Sequence, residues 1–325
     1  RILIPAWRSM LASLNATPPE MFVDWFSIER LFGREADVGM HRHWRDPTIP
    51  FAGAVLEPAH GVLITSATLR DELPEPEEGE DDAGGGWESA EIRTGASHLA
   101  LPAERAFMAS PFDYAAQARI FVVRDVSRND MNQIASAYRE LFRAAGGGAL
   151  GLFTAIHRLR AVHERIVTPL EEEGLSLYAQ HIDALDTGTL VDIFRAERNA
   201  CLLGTDAVRD GVDVPGDSLR MIVFDRVPWP RPDILHKARR EQFGKTRYDD
   251  MITRLRLKQA FGRLIRRASD RGVFVALDAR LPTRLTTGFP PGVTVHRVGL
   301  SEAIAETKAF LGTDAPSLAP ARSNP

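Results

Sequence analysis

From residue 111 onward, short apolar runs alternate with stretches of helical periodicity, and few folds tolerate that rhythm. Strand candidates fall at 119–126, 149–154, 175–179, 200–205, 219–225, 272–278 and 293–298. Helical stretches lie between most of them, at 130–145, 157–173, 187–197 and 249–269, with a last one at 300–311. Strands this short and this uniformly apolar are buried on both faces, so helices must cover both sides of the sheet they form. The rhythm predicts an α/β fold with a doubly wound, mainly parallel sheet. A hydrophobic fraction of 44% supplies an ordinary core. No apolar run approaches the ~20 residues of a membrane-spanning helix.

The first 110 residues read differently. Residues 1–50 open with an aromatic-rich stretch of helical appearance (Trp7, Phe22, Trp25, Phe26, Phe32). Residues 61–69, GVLITSATL, predict a buried strand that ends in Ser66, Ala67 and Thr68. Seven of the eleven residues at 72–82 are acidic, and three glycines follow at 84–86. Such sequence buries too little apolar surface to offset its ordering entropy, so 72–86 is expected to be a mobile acidic loop. Three segments result: 1–110, 111–312, and a Pro/Ser/Ala-rich tail at 313–325 expected to be disordered. The net charge of −4 conceals a balance of −9 in residues 1–100 and +5 in the remainder. A mild positive excess on the sheet-bearing part suits a nucleic-acid groove. The single cysteine, Cys201, excludes a disulfide or a four-cysteine iron–sulfur site within the chain. A reducing, cytoplasmic setting is expected. His41 and His43 at i, i+2 lack the further ligands a zinc site needs, and no zinc is expected.

Three constellations carry chemistry. In LKQAFGRLIRR, residues 257–267, a helix at about 100° per residue brings Gln259, Arg263 and Arg266 within roughly 60° of one another. Leu257, Phe261, Leu264, Ile265 and Ala268 then centre on the opposite, anchoring face. Guanidiniums held in a rigid row suit phosphate oxygens, because each planar fork donates two parallel charged hydrogen bonds; a solvated basic face is the plainer alternative. In CLLGTDAVRDGVDVPG, residues 201–216, an apolar run breaks at Gly204 and a polar loop with Gly211 and Asp213 follows. Strand, glycine loop and acid is how α/β proteins bring N–H groups and a carboxylate to a ligand. A simple turn would read the same way. In the third, Ser66 and Thr68 end a strand, where they serve either a ligand or only a helix N-terminus.

Taken in order, these pieces resemble motifs III, V and VI of superfamily 2 helicases, and most closely the DinG/XPD group. That group pairs TSATL with a late GxD loop, an apolar-Pro-aromatic-Pro run (here Val227, Pro228, Trp229, Pro230) and QxxGRxxR. The likeness extends from about residue 50 to about residue 312. It implies a RecA-like second motor lobe at 111–312, preceded at 1–110 by the end of the first lobe and an insert. ATP would lie between the lobes. Arg263 first and Arg266 second would stabilise the transferring phosphoryl group, and Gln259 would orient water or touch the γ-phosphate. Gly211 and Asp213 would approach the nucleotide, and Ser66 and Thr68 would couple nucleotide state to DNA grip. Thr154 and Thr205, each closing a strand, would hold phosphates of single-stranded DNA or merely cap helices. Trp229 would stack on a base or pack in the core. Family members translocate 5′ to 3′.

The resemblance is incomplete. GxxxxGK[ST] is absent, because Arg239 stands where the first glycine of a Gly244-Lys245-Thr246 match should be. No DEAH-like tetrad follows an apolar strand. The phosphate loop, the Mg²⁺ carboxylates and any iron–sulfur cluster are therefore expected in an N-terminal motor lobe preceding Arg1, with this chain inactive alone. Arg209 and Asp210 also stand before Gly211, where relatives carry an aromatic or small residue and then Glu. Two rival readings remain: a non-catalytic nucleic-acid-binding module, and an RNA helicase lobe of the same superfamily.

Overall fold

The computed structural model describes residues 3–17, 19–71, 86–211, 214 and 216–312. The acidic run at 72–85, Asp213 and the tail at 313–325 lie outside the described residues. The chain divides into two compact units. One is Arg1–Phe107 with Trp229–Thr253, and the other is Met108–Pro228 with Arg254–Pro325. The chain thus leaves the second unit after Pro228 and re-enters it at Arg254.

In the first unit, helix α1 (Leu3–Ser13) is followed by an antiparallel hairpin, β1 (Phe22–Leu31) and β2 (Arg34–Trp44). The expected helical stretch is therefore helical only at its start: Phe22, Trp25 and Phe26 lie on β1 and Phe32 in the hairpin turn. The cause is cross-strand pairing, which a local reading does not see. Phe22 packs edge-on against Trp44 at 4.6 Å. Trp25 stacks on His41 and His43 at 5.0 and 4.8 Å. Asp24 accepts from Arg42 at 2.6 Å. Phe32 and Gly33 both take positive φ, 51° and 79°, the turn whose twist matches paired strands. Short helices α2 (Thr48–Phe51) and α3 (Glu88–Thr94) follow.

The strand expected at 61–69 does not form. Residues 61–66 have no regular structure, and Val62, Leu63 and Ile64 are exposed. Among the described residues no neighbouring strand offers a ladder, and an extended segment becomes a strand only when its N–H and C=O groups are paired.

The second unit matches its sequence rhythm closely. Its elements run α4 (Tyr114–Gln117), β3 (Ala118–Val123), α5 (Met131–Ala145), β4 (Ala149–Leu152), α6 (Ile156–Glu172), β5 (Leu177–Ala179), α7 (Thr187–Ala196), β6 (Cys201–Gly204), α8 (Asp206–Gly211) and β7 (Met221–Phe224). Helix α9 (Ile234–Gln242) and the start of α10 (Thr246–Phe261) belong to the first unit; the second resumes at Arg254 with the rest of α10, then β8 (Gly272–Ala276), β9 (Val295–Val298) and α11 (Leu300–Gly312). All seven strands form one parallel sheet in the order β5-β6-β4-β7-β8-β3-β9. Alternate residues of each strand enter opposite cores. Phe121 and Val123 pack with Tyr138, Phe142, Leu159 and Ile166, while Ile120 and Val122 pack with Phe194, Leu257, Phe261 and Leu264. Helices thus cover both faces, as a doubly wound sheet requires. The Gly-Lys-Thr at 244–246 joins α9 to α10, helix to helix, rather than strand to helix.

Candidate functional site

The arginine run does not continue as helix. A helix through 269 is the sequence expectation, but α10 ends at Phe261. Gly262 still donates to Lys258 O at 2.9 Å; Arg263 and Leu264 then donate three residues back, to Ala260 O at 3.1 Å and Phe261 O at 2.9 Å. Beyond that tightened turn two side chains replace the helical ladder. The Asp270 carboxylate accepts from the N–H of both Arg266 and Arg267 at 2.8 Å. The Gln117 amide, at the end of α4, is shared among Arg267 O, Ala268 O and Asp270 O at 3.0, 3.1 and 3.0 Å. Backbone groups are thereby satisfied outside a helix, so leaving it costs little. Gln259 therefore lies on α10, Arg263 in a turn and Arg266 in a loop, and the three do not share one helical face. Leu257, Phe261, Leu264 and Ile265 are buried as expected, whereas Ala268 is exposed. Arg256 donates to Pro228 O at 2.9 Å.

The loop after β6 is likewise more structured than its sequence suggests. Gly204 brings α8 close: a Cβ there would fall 2.5 Å from Val208 Cβ. Gly211, expected in a polar loop, is the last residue of α8. The Thr205 N–H and hydroxyl both donate to Gln180 Oε1, at 3.0 and 2.9 Å. Where the chain returns toward β7, Gly216 takes φ +77°, and a Cβ on it would lie 3.9 Å from Arg267 Nη1. The end of the 201–216 stretch and the arginine run thus meet near the N-terminal ends of β7 and β8.

A second group gathers at the opposite edge, beyond the C-terminal ends of β4 and β7. Arg158 Nε donates to Asp225 Oδ2 at 2.6 Å, both side chains at most 5% exposed. The Thr154 N–H donates to the other carboxylate oxygen at 3.2 Å. Arg158 and Arg226 both donate to Arg128 O, at 3.1 and 3.2 Å, and Arg226 also reaches Asn129 Oδ1 at 3.2 Å. Burial pushes the Asp225 carboxyl up, and the Arg158 ion pair pulls against it. Burial lowers the Arg226 guanidinium, with repulsion from Arg158 and Arg128 adding to it. Helix α6 starts here, at Ile156, and Ala155 before it supplies no side-chain cap. Arg158 and Asp225 did not stand out in the sequence, yet a signal exists. Arg158, Val162, Ile166 and Leu170 form an i, i+4 stripe, and a charge in that buried register needs a partner.

The remaining candidates belong to the first unit. Ser66 Oγ and Thr68 Oγ1 lie 3.1 Å apart, and the Thr68 N–H donates to Ser66 Oγ at 3.2 Å, a local turn in place of a strand end. Arg93 holds that turn through Thr68 O and Leu69 O at 3.1 and 2.7 Å. Trp229 is 39% exposed, so part of its ring faces solvent. Among the described residues no three His, Cys, Asp or Glu side chains converge as metal ligands, and no helix is long and apolar enough to cross a membrane.

Comparison with known proteins bears on the same region. A profile of the helicase C-terminal domain family matches residues 138–292, which include Thr154, Thr205, Trp229, Gln259, Arg263 and Arg266. The ATP-dependent helicase DinG of Mycobacterium tuberculosis is 36% identical over 190 residues, 54% of this chain and 27% of that protein. The ATP-dependent DNA helicase YoaA of Escherichia coli is 33% identical over 195 residues, 56% of this chain and 30% of that protein. A Bacillus subtilis relative named 3′-5′ exonuclease DinG is 28% identical over 273 residues, covering 80% of this chain and 28% of its own length. The chain thus spans less than a third of these relatives. Among solved structures, an XPD helicase aligns with TM-score 0.42 and 18% identity, over 55% of this chain and 35% of that one.

Proposed function

Because this chain belongs to the DinG/XPD-type superfamily 2 helicases, as their C-terminal portion, we propose that residues 111–312 act as the second motor lobe of an ATP-dependent DNA helicase. Residues 1–110 supply the end of the first lobe. In this reading the lobe closes over ATP and Mg²⁺ held mainly by the N-terminal lobe, and Arg263, with Arg266 second, stabilises charge on the transferring phosphoryl group. Gln259 orients the attacking water, and Gly211 and Asp213 approach the nucleotide. Ser66 and Thr68 relay nucleotide state to the DNA grip. The observation that carries the proposal is the family match across the arginine run, on a loop whose backbone is pinned by Gln117 and Asp270. Charge stabilisation requires donors fixed before the reaction, and a backbone held at residues 266–270 supports that role for Arg266.

Single-stranded DNA is proposed to pass the other edge of the sheet. Thr154, Thr205, Arg226 and the uncapped start of α6 supply phosphate contacts there; Trp229, in the first unit, is proposed separately to stack on a base. Translocation is proposed to run 5′ to 3′, as the family likeness implies.

The test is turnover in the complete helicase. Arg263→Ala should lower DNA-stimulated kcat by about 10³-fold or more, and Arg263→Lys nearly as much, since an ammonium cannot reproduce the fork. The 325-residue chain alone should show no ATP turnover and should bind single strands with a strong salt dependence. Parental ATP hydrolysis by Arg263→Ala would refute the phosphoryl-transfer assignment.

A further inference from the structure

The loop that carries Arg266 has an unusual construction. A helix continued from Phe261 to residue 269 would satisfy its own backbone and bury no carboxylate. Instead the chain leaves the helix at Gly262, and residues 266–270 are held by two polar side chains, each only 7% exposed. Asp270 takes the N–H of Arg266 and of Arg267 on one oxygen. Gln117, which is 150 positions away from Arg267, takes the carbonyls of Arg267, Ala268 and Asp270. Burying a carboxylate and a primary amide is unfavourable unless their partners are in place. Those partners are all backbone groups of this loop. The two side chains therefore act together as a clamp on the peptide groups next to the arginines. On the other side of Arg266, the loop is anchored by Leu264 and Ile265, which are 1% and 3% exposed.

We propose that Asp270 and Gln117 are positioning residues for phosphoryl transfer: they fix the backbone from which Arg266 reaches the nucleotide. This rests on the reading of that arginine given above. Neither side chain touches the nucleotide itself. Their effect is exerted through the peptide groups of residues 266–270, and a displacement of about 1 Å at a reacting centre lowers rate by about 10²-fold.

The experiment uses the complete helicase and five variants: Asp270→Ala, Asp270→Asn, Gln117→Met, Arg263→Ala and Arg266→Ala. DNA-stimulated ATP turnover, single-strand affinity, melting temperature and amide exchange at residues 266 and 267 are measured. Asp270→Ala and Gln117→Met are expected to lower kcat by about 10²-fold, with KM for ATP and DNA affinity near the parental values. Asp270→Asn keeps a carbonyl oxygen for the two N–H groups and should restore most of the turnover and the exchange protection that Asp270→Ala loses. Parental kcat in Asp270→Ala and Gln117→Met, alongside a collapsed kcat in Arg266→Ala, would overturn the positioning role alone. Parental kcat in Arg266→Ala would remove that arginine's part in phosphoryl transfer and the positioning role with it, and parental kcat in Arg263→Ala as well would remove the phosphoryl-transfer reading. If Asp270→Ala melts below the assay temperature, Gln117→Met, which keeps the carboxylate and loses only the amide donors, decides by the same criterion.

Discussion

The buried pair Arg158 and Asp225 offers a measurement with a well-defined sign. Arg158→Met removes the guanidinium that bonds the Asp225 carboxylate, whose side chain is 0% exposed. Breaking a buried pair from one side costs about 3–5 kcal/mol, because the surviving charge loses its bonded partner and has no water to replace it. For a domain of roughly this size each kcal/mol moves the melting temperature by about 2–4 °C, so the variant should melt about 6–20 °C lower. Burial already pushes the Asp225 carboxyl above its usual range, and without Arg158 it should rise further. The folded variant then holds a proton that the unfolded chain releases, so its stability increases as pH falls through the raised value toward the ordinary carboxylate range. The deficit against the parent should be largest near neutral and alkaline pH and shrink on acidification. Removing both charges, in Arg158→Met with Asp225→Leu, should recover much of the loss. Urea denaturation of the three proteins across pH supplies the numbers. A single variant within about 1 kcal/mol of the parent at neutral pH, or a double variant no more stable than the single, would refute the argument.

Other outcomes follow from the same structure. Phe261, 1% exposed and packed edge-on against Tyr114 and Phe289 at 5.9 and 5.8 Å, should cost about 3–5 kcal/mol as Phe261→Ala, read by urea denaturation. Gly151→Ala should destabilise by about 1–3 kcal/mol in the same assay, since its Cβ would fall 2.6 Å from Leu203 Cδ2 and 2.7 Å from Tyr138 Cε1. The Cys201 thiol, pushed up to about 12 by burial, should resist maleimide in the folded chain and react once urea unfolds it. Burial lowers His163, against the opposing pull of Asp183, Glu171 and Glu164. Its neutral form thus favours folding above the ordinary histidine value, and His163→Gln should flatten the loss of stability as pH falls below about 6.5.

The sheet was legible in the sequence because its information is local. Seven apolar runs of β-branched and aromatic residues, such as RIFVV and MIVF, each became a strand, and the helices between them kept their 3.6-residue stripes. The residue types of the candidate site were legible too, since a guanidinium or a hydroxyl has the same chemistry wherever the chain carries it. What the sequence did not determine was anything resting on a partner distant in the chain. GVLIT has the composition of a strand, but strand formation needs a ladder, and none pairs with it among the described residues. The stretch beginning at Phe22 has helical spacing, yet Trp44, His41 and His43 draw it into a hairpin. The arginine run has helical periodicity through residue 268, but Gln117, far upstream, and Asp270 satisfy its backbone in a loop and separate Gln259, Arg263 and Arg266. Periodicity records which face of a helix would be buried. Whether the helix continues depends on which groups elsewhere in the fold take over its hydrogen bonds, and only the tertiary structure brings those groups within reach.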